Sequence, residues 1–137
     1  MKITQKYINS IAYKVVGCAI EVNKHLGPGL LESVYQKCFI EELKNTGLDV
    51  ESQLHIPIIY KGKDLGGKLI IDILVNGILI VEIKSVDQMI PIFKAQLLSY
   101  LKLTGKPKGL LINFNVINIV DELVPLVTEE FEKLPVE

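Results

Sequence analysis

Two short apolar runs on either side of Asn76-Gly77 constrain this chain more than any other feature. Leu69-Ile-Ile-Asp-Ile-Leu-Val75 and Ile78-Leu-Ile-Val-Glu-Ile-Lys84 are rich in β-branched residues, and Asn-Gly between two such runs is among the strongest short-range signals for a β-hairpin. Each run nevertheless carries charge: Asp72 in the first, Glu82 and Lys84 in the second. An unpaired charge taken out of water costs several kcal/mol even after relaxation, so charges in apolar strands neutralise one another, hold a metal or shift their pKa values. Function is therefore expected at this hairpin. Two carboxylates and an ammonium on one face can hold a divalent cation and place a water for attack on a phosphodiester.

Whether the three charges meet depends on the loop. A two-residue loop of Asn76 and Gly77 puts Asp72 opposite Val81, on the side away from Glu82. A three-residue loop of Val75, Asn76 and Gly77 puts Asp72 opposite Ile80, on the side shared with Glu82 and Lys84. A functional site requires the second arrangement or a bulge elsewhere, so Gly77 is expected at positive φ with the pairing shifted by one residue.

Around the hairpin the chain reads as layers of helix and strand. Ile8, Ile11, Ala12, Val15, Ala19 and Val22 recur at helical spacing, which predicts an amphipathic helix over 4–25. Gly27-Pro-Gly29 ends it, and a second helix over 30–45 closes at Gly47. Residues 50–60 suit a strand, with Pro57 pointing to a sheet edge. A turn is expected over 62–67, then strands over 68–75 and 78–85. Pro91 opens a helix to about Leu103, with Gly105 closing it. The nearly unbroken apolar run Lys108 to Phe114 suits an interior strand covered on both faces, and a last helix is expected from about Val120 to Lys133, with Pro125 in its early turns or at its start. The expectation is one α/β domain over 1–137, a mixed four-stranded sheet flanked by helices.

Composition excludes several chemistries. Cys18 and Cys38 are the only cysteines, too few for a Cys-ligated cluster or a structural zinc, so any metal is expected on oxygen ligands. There is no Walker loop or GxGxxG, and neither His25 nor His55 stands near a GxSxG turn. No apolar run approaches the roughly 18 residues that cross a bilayer, and the N-terminus lacks the features of a signal peptide, so a cytoplasmic protein with no membrane partner is expected. Residues 121–137 hold six acids against Lys133 alone, which leaves the rest with fourteen lysines and ten acids. All 15 basic residues are lysine. Without the bidentate fork of arginine, nucleic-acid binding is expected to be weak on its own.

An Asp on one strand, Glu-x-Lys on the next and a helical Glu before them resemble the PD-(D/E)XK nuclease superfamily. Gly29-Leu-Leu-Glu32-Ser-Val-Tyr35, preceded by Gly27-Pro-Gly29, resembles the signature of the bacterial GxxExxY proteins of that superfamily. Ala95-Gln96-Leu-Leu-Ser-Tyr100 and Gly109-Leu-Leu-Ile-Asn-Phe114 resemble the same family, and Gln96 with Tyr100 is similar to the QxxxY helix of RecB-like nucleases. The resemblance implies a restriction-endonuclease-like core that hydrolyses phosphodiester bonds, in DNA before RNA, with Mg²⁺ or Mn²⁺. It implies Glu32, Asp72 and Glu82 as metal ligands with the Ile83 carbonyl, Lys84 acting on the attacking water or the phosphate, and Gln96 and Tyr100 as further site residues. Ile71 stands where the superfamily usually has proline.

Other readings compete. Asp72, Glu82 and Lys84 can form an internal salt-bridge network. Glu32 in a first helical turn suits the helix dipole without catalytic duty, and His25 either joins the metal or complements the end of the first helix. Tyr35 can bury its ring and bond Glu32 or the hairpin. A member without catalytic activity would bind nucleic acid or protein, or form a homodimer through the first helix or an edge strand.

Overall fold

The structure, a computed structural model, describes residues 2–137. Thr4 caps the first helix, α1 (Gln5–Leu26), by accepting the Tyr7 N–H at 3.0 Å. Gly27 ends it at φ 65°, a conformation that costs a side chain dearly and glycine little. After the Gly-Pro-Gly turn comes α2 (Glu32–Asn45). Two antiparallel strands follow, β1 (Val50–Tyr60) and β2 (Lys63–Val75), then β3 (Leu79–Lys84). Helix α3 (Pro91–Thr104) begins on proline and carries the chain to β4 (Lys108–Asn113), which lies parallel to β3.

The sheet has five strands, in the order β1-β2-β3-β4-β5, one more than expected. The additional strand, β5 (Leu123–Val127), takes the middle of the stretch anticipated as a helix over 120–133. A short 3-10 turn, Ile119–Glu122, precedes it and a four-residue helix, α4 (Glu129–Glu132), follows. Val124 and Leu126 flank Pro125, and a proline without an N–H is tolerated on an edge strand. Here it lies opposite Leu110 of β4. The turn expected over 62–67 is likewise shorter. Only Lys61 and Gly62 turn, and Gly66 and Gly67 lie within β2 at φ 77° and 80°. They form a bulge where the register slips between Pro57 and Ile59. Strand β1 is an edge strand, as Pro57 indicated.

Apolar clusters cover both faces. Helices α1 and α2 pack on one, where Tyr35 stacks on Phe114 and Phe39 meets Phe114 edge-on, each pair at 5.3 Å between centroids. On the other, Leu97 and Leu101 of α3 meet Leu74, Ile80 and Leu111. Strands β3 and β4 are therefore buried almost throughout. Among the described residues no helix is long and apolar enough to cross a membrane.

Close approach between α3 and β4 rests on Gly109. A β-carbon there would lie 2.9 Å from Leu97 Cδ1 and 3.2 Å from its Cδ2 and Cγ. Leu97 is fully buried and has nowhere to retreat. Gly109→Ala is expected to destabilise the protein by about 1–3 kcal/mol. A urea titration measures this, and an unchanged midpoint would contradict the packing described.

Candidate active site

Asn76 and Gly77 both adopt positive φ, 51° and 67°, and the Ile78 N–H donates to the Val75 carbonyl at 3.0 Å. The ladder then resumes with Val75 opposite Leu79, leaving Ile78 as the extra residue. This differs from both expected loops. The pairing is shifted by one in the opposite sense, and Asp72 continues that register to fall opposite Glu82. The parity that brings them together is the one the function required.

The ladder between β2 and β3 ends at Ile73 opposite Val81, and the two carboxylates take over from there. The Asp72 N–H donates to Glu82 Oε1 at 3.2 Å, and the Ile83 N–H donates to Asp72 Oδ2 at 3.0 Å. Each side chain thus serves the other strand's backbone. The pairing of β1 with β2 also skips Asp72, running from Ser52 opposite Ile73 to Leu54 opposite Ile71. Gln53 between them has φ 50°, a strained conformation for a non-glycine residue. Side-chain alternation breaks at the same place, because Ile71 packs with α3 while Ile73 packs with α1 and α2. Asp72 therefore sits where β2 loses regular pairing on both sides.

Glu82 is only 6% exposed. Burial first, and then the charge of Asp72, raise its pKa from 4.5 to about 8, against weaker opposing effects of the Asp72 N–H and Lys84. Burial and then Asp72 also push up Glu32, the first residue of α2, while Lys84 and the Ser85 backbone pull it down. Tyr100 is raised by burial and then by Glu82. Four elements therefore bring acidic groups within electrostatic reach of one another.

Lys84 does not neutralise them through an ion pair. Its Nζ lies over the ring of Phe93, 4.5 Å from the centroid. Among the described residues the only ion pairs are His25–Glu21 at 3.3 Å and Lys133–Glu130 at 3.8 Å. The internal salt-bridge network is therefore not what the chain builds. His25 is exposed and also bonds the Glu21 carbonyl through Nδ1 at 3.1 Å, which ties it to its own helix. On α3, Gln96 Nε2 donates to the Tyr100 hydroxyl at 2.9 Å. Lys84, Phe93 and Gln96 line one open cleft of about 580 Å³.

Among the described residues no three His, Cys, Asp or Glu side chains gather closely enough to hold a metal ion. The donor set still fits a hard cation in its chemistry. It is all carboxylate oxygen, and burial, followed by the charge of Asp72, raises the proton affinity of Glu32 and Glu82.

Several residues that position this site were not singled out from the sequence. Asn113, fully buried, accepts the Val86 and Asn115 N–H groups at 3.1 Å each and donates to the Val86 carbonyl at 2.9 Å. Asn115 accepts the Gly29 N–H at 2.9 Å and donates to Val86 O and Asp87 Oδ1, both at 3.3 Å. Ser85 donates to the Leu30 carbonyl at 2.6 Å. Together they latch the turn before Glu32 to the segment after Lys84. Tyr35 bonds neither Glu32 nor the hairpin: its hydroxyl donates to the Gly27 carbonyl at 2.6 Å and accepts the Leu30 N–H at 3.1 Å. The available signal was a lone Asn in the apolar run 108–114, since a buried amide must be satisfied.

A family model described as the PD-(D/E)XK nuclease superfamily matches residues 9–124. The chain belongs to the PD-(D/E)XK nuclease superfamily. The matched stretch spans Glu32, Asp72, Glu82, Lys84, Gln96 and Tyr100, and the mixed sheet with helices on both faces agrees with that fold. No curated protein and no solved structure matches the chain.

In this PD-(D/E)XK nuclease-like fold the carboxylate pair works against stability. Glu82 binds its proton more tightly folded than unfolded, so its favourable contribution is complete below about pH 4.5 and is lost as the pH rises through about 8. Glu82→Gln keeps an acceptor for the Asp72 N–H and removes the buried charge. Without metal, it is expected to flatten the decline from pH 5 to pH 8 and to raise stability at pH 8 by about 1–3 kcal/mol. Urea titrations in EDTA at the two pH values measure both effects, and a variant less stable than wild type at pH 8 would contradict them.

Proposed function

We propose that this chain is a divalent-metal-dependent nuclease that hydrolyses phosphodiester bonds in nucleic acid, with DNA as its substrate. The observation that carries the reading is the crossed pair at the end of the β2–β3 ladder, where Asp72 and Glu82 each bond the other strand while Lys84 stands without a carboxylate partner. Glu32, Asp72 and Glu82, with the Ile83 carbonyl, would hold Mg²⁺ or Mn²⁺. Such an ion supplies a water of lowered pKa and a counter-charge for the phosphate. Lys84 orients the attacking water or stabilises charge developing on the phosphate, as a nearby ammonium does. Its Nζ lies over the Phe93 ring, which fixes where that charge sits. Gln96 and Tyr100, bonded to each other on one face of α3, meet the substrate or its water beside Lys84. We further assign the chain to the GxxExxY group, on Gly29 through Tyr35 and on the bonds by which Tyr35 closes the Gly-Pro-Gly turn.

One observation favours a second reading. The three carboxylates do not gather closely enough to hold an ion, as suits a member that binds nucleic acid or protein without cutting. Incubation of labelled single- and double-stranded DNA and RNA with Mn²⁺ or Mg²⁺ separates the two. Cleavage of DNA is expected, abolished in Asp72→Ala and slowed about 10²–10³-fold in Lys84→Ala. Intact substrates with both metals would favour the second reading, and cleavage of RNA alone would overturn the assignment of substrate.

A further inference from the structure

Strand β2 is far longer than its pairing with β3. Only Ile73, Leu74 and Val75 make that ladder, whereas the pairing with β1 runs back to Tyr60 opposite Lys63. Beyond Asp72 the two strands form an arm with sheet on neither side. At the base of the arm, Leu54 and Ile56 of β1 and Ile71 of β2 pack with Leu97 and Leu101 of α3 and share a cleft with Thr104 and Lys106.

Its composition is unlike that of a solvated loop. All residues from Ile59 to Lys68 are exposed, including Ile59 at 48%, Tyr60 at 60% and Leu65 at 56%. Lys61, Lys63 and Lys68 stand among them against one acid, Asp64, whose Oδ1 accepts the Gly66 N–H at 3.0 Å. Lys61 Nζ lies 5.5 Å from the centre of the Tyr60 ring. A lone two-stranded ribbon is marginal in water, so an arm that keeps apolar and aromatic residues exposed is built to meet something. The lysine surplus makes that partner an anion. Where no arginine exists, lysines beyond the site are what can neutralise phosphates along a strand.

We infer that the β1–β2 arm is a duplex-DNA contact, a ribbon that enters the major groove while its lysines meet the flanking phosphates. This rests on the proposed function for the identity of the polyanion. Dimensions favour a duplex. At roughly 3.3 Å per residue, Ile56–Tyr60 reaches about 15 Å, and a major groove about 8.5 Å deep admits a two-stranded ribbon. The bulge at Gly66 and Gly67 bends and twists the arm between its base and its tip.

Fluorescence anisotropy with a labelled duplex in EDTA tests binding without any need for cleavage. The combined variant Lys61→Ser, Lys63→Ser, Lys68→Ser is compared with Lys14→Ser, Lys24→Ser, Lys37→Ser, which removes the same charge from exposed positions on α1 and α2. The arm variant is expected to bind at least about tenfold more weakly, with a salt dependence shallower by about 2–3 in logarithmic slope. The control variant is expected to change less than about twofold. Circular dichroism of both variants verifies the fold. Equal losses in the two variants, no loss in the arm variant, or tighter binding of the same sequence as a single strand would overturn the inference. A wild-type protein that binds through the arm and never cuts with Mn²⁺ would refute the nuclease reading and leave the arm standing. One that cuts while the arm variant binds unchanged would do the reverse.

Discussion

The structure turns on the place where β2 and β3 stop pairing. Up to Ile73 and Val81 the backbones satisfy each other, and from Asp72 and Glu82 onward the carboxylates do so. This keeps the strand ends bonded and also carries two like charges into a space where one is only 6% exposed. The raised proton affinity of Glu82 is the electrostatic consequence. A chain selected for stability alone would put apolar residues at both positions, because a buried like-charge pair costs more than packing can return. Such a cost is characteristic of sites that accept a cation or trade a proton.

The rest of the fold keeps this break in place. One face of the sheet is closed by α1 and α2 through Tyr35, Phe39 and Phe114, and the other by α3 through Leu97 against Gly109. Between them the Asn113 and Asn115 amides join the turn that precedes Glu32 to the segment that follows Lys84. Glu32, Lys84 and the Gln96–Tyr100 pair thus arrive from three elements at one end of the sheet.

Much of this was legible in the sequence. Helical periodicity gave α1, Gly27-Pro-Gly29 and Gly47 bounded α2, Pro91 and Gly105 bounded α3, and the apolar run 108–114 marked an interior strand. Asn76-Gly77 announced the hairpin, and the charges at 72, 82 and 84 announced the site. The failures have physical causes. Strand β5 is five residues long and contains proline, so its hydrogen bonds come from β4 and leave no local pattern. Gly66 and Gly67 look like a turn because a bulge needs the same positive φ. The register was open because one extra residue, Ile78, moves the pairing by one, and side-chain alternation alone does not say where the extra residue falls. The positioning amides were hidden for a similar reason, since what Asn113 and Asn115 bond is decided by segments far away in the chain.

We read the Asp72–Glu82 pair as a cation site whose proton gives way to metal. Titration of Mn²⁺ into the metal-free protein at pH 7, by calorimetry in two buffers of different ionisation enthalpy, tests it most directly. Wild type is expected to bind with release of close to one proton, because Glu82 with a pKa of about 8 is mostly protonated at that pH, and Asp72→Ala is expected not to bind. Absence of binding by wild type, or binding that Asp72→Ala retains, would contradict it.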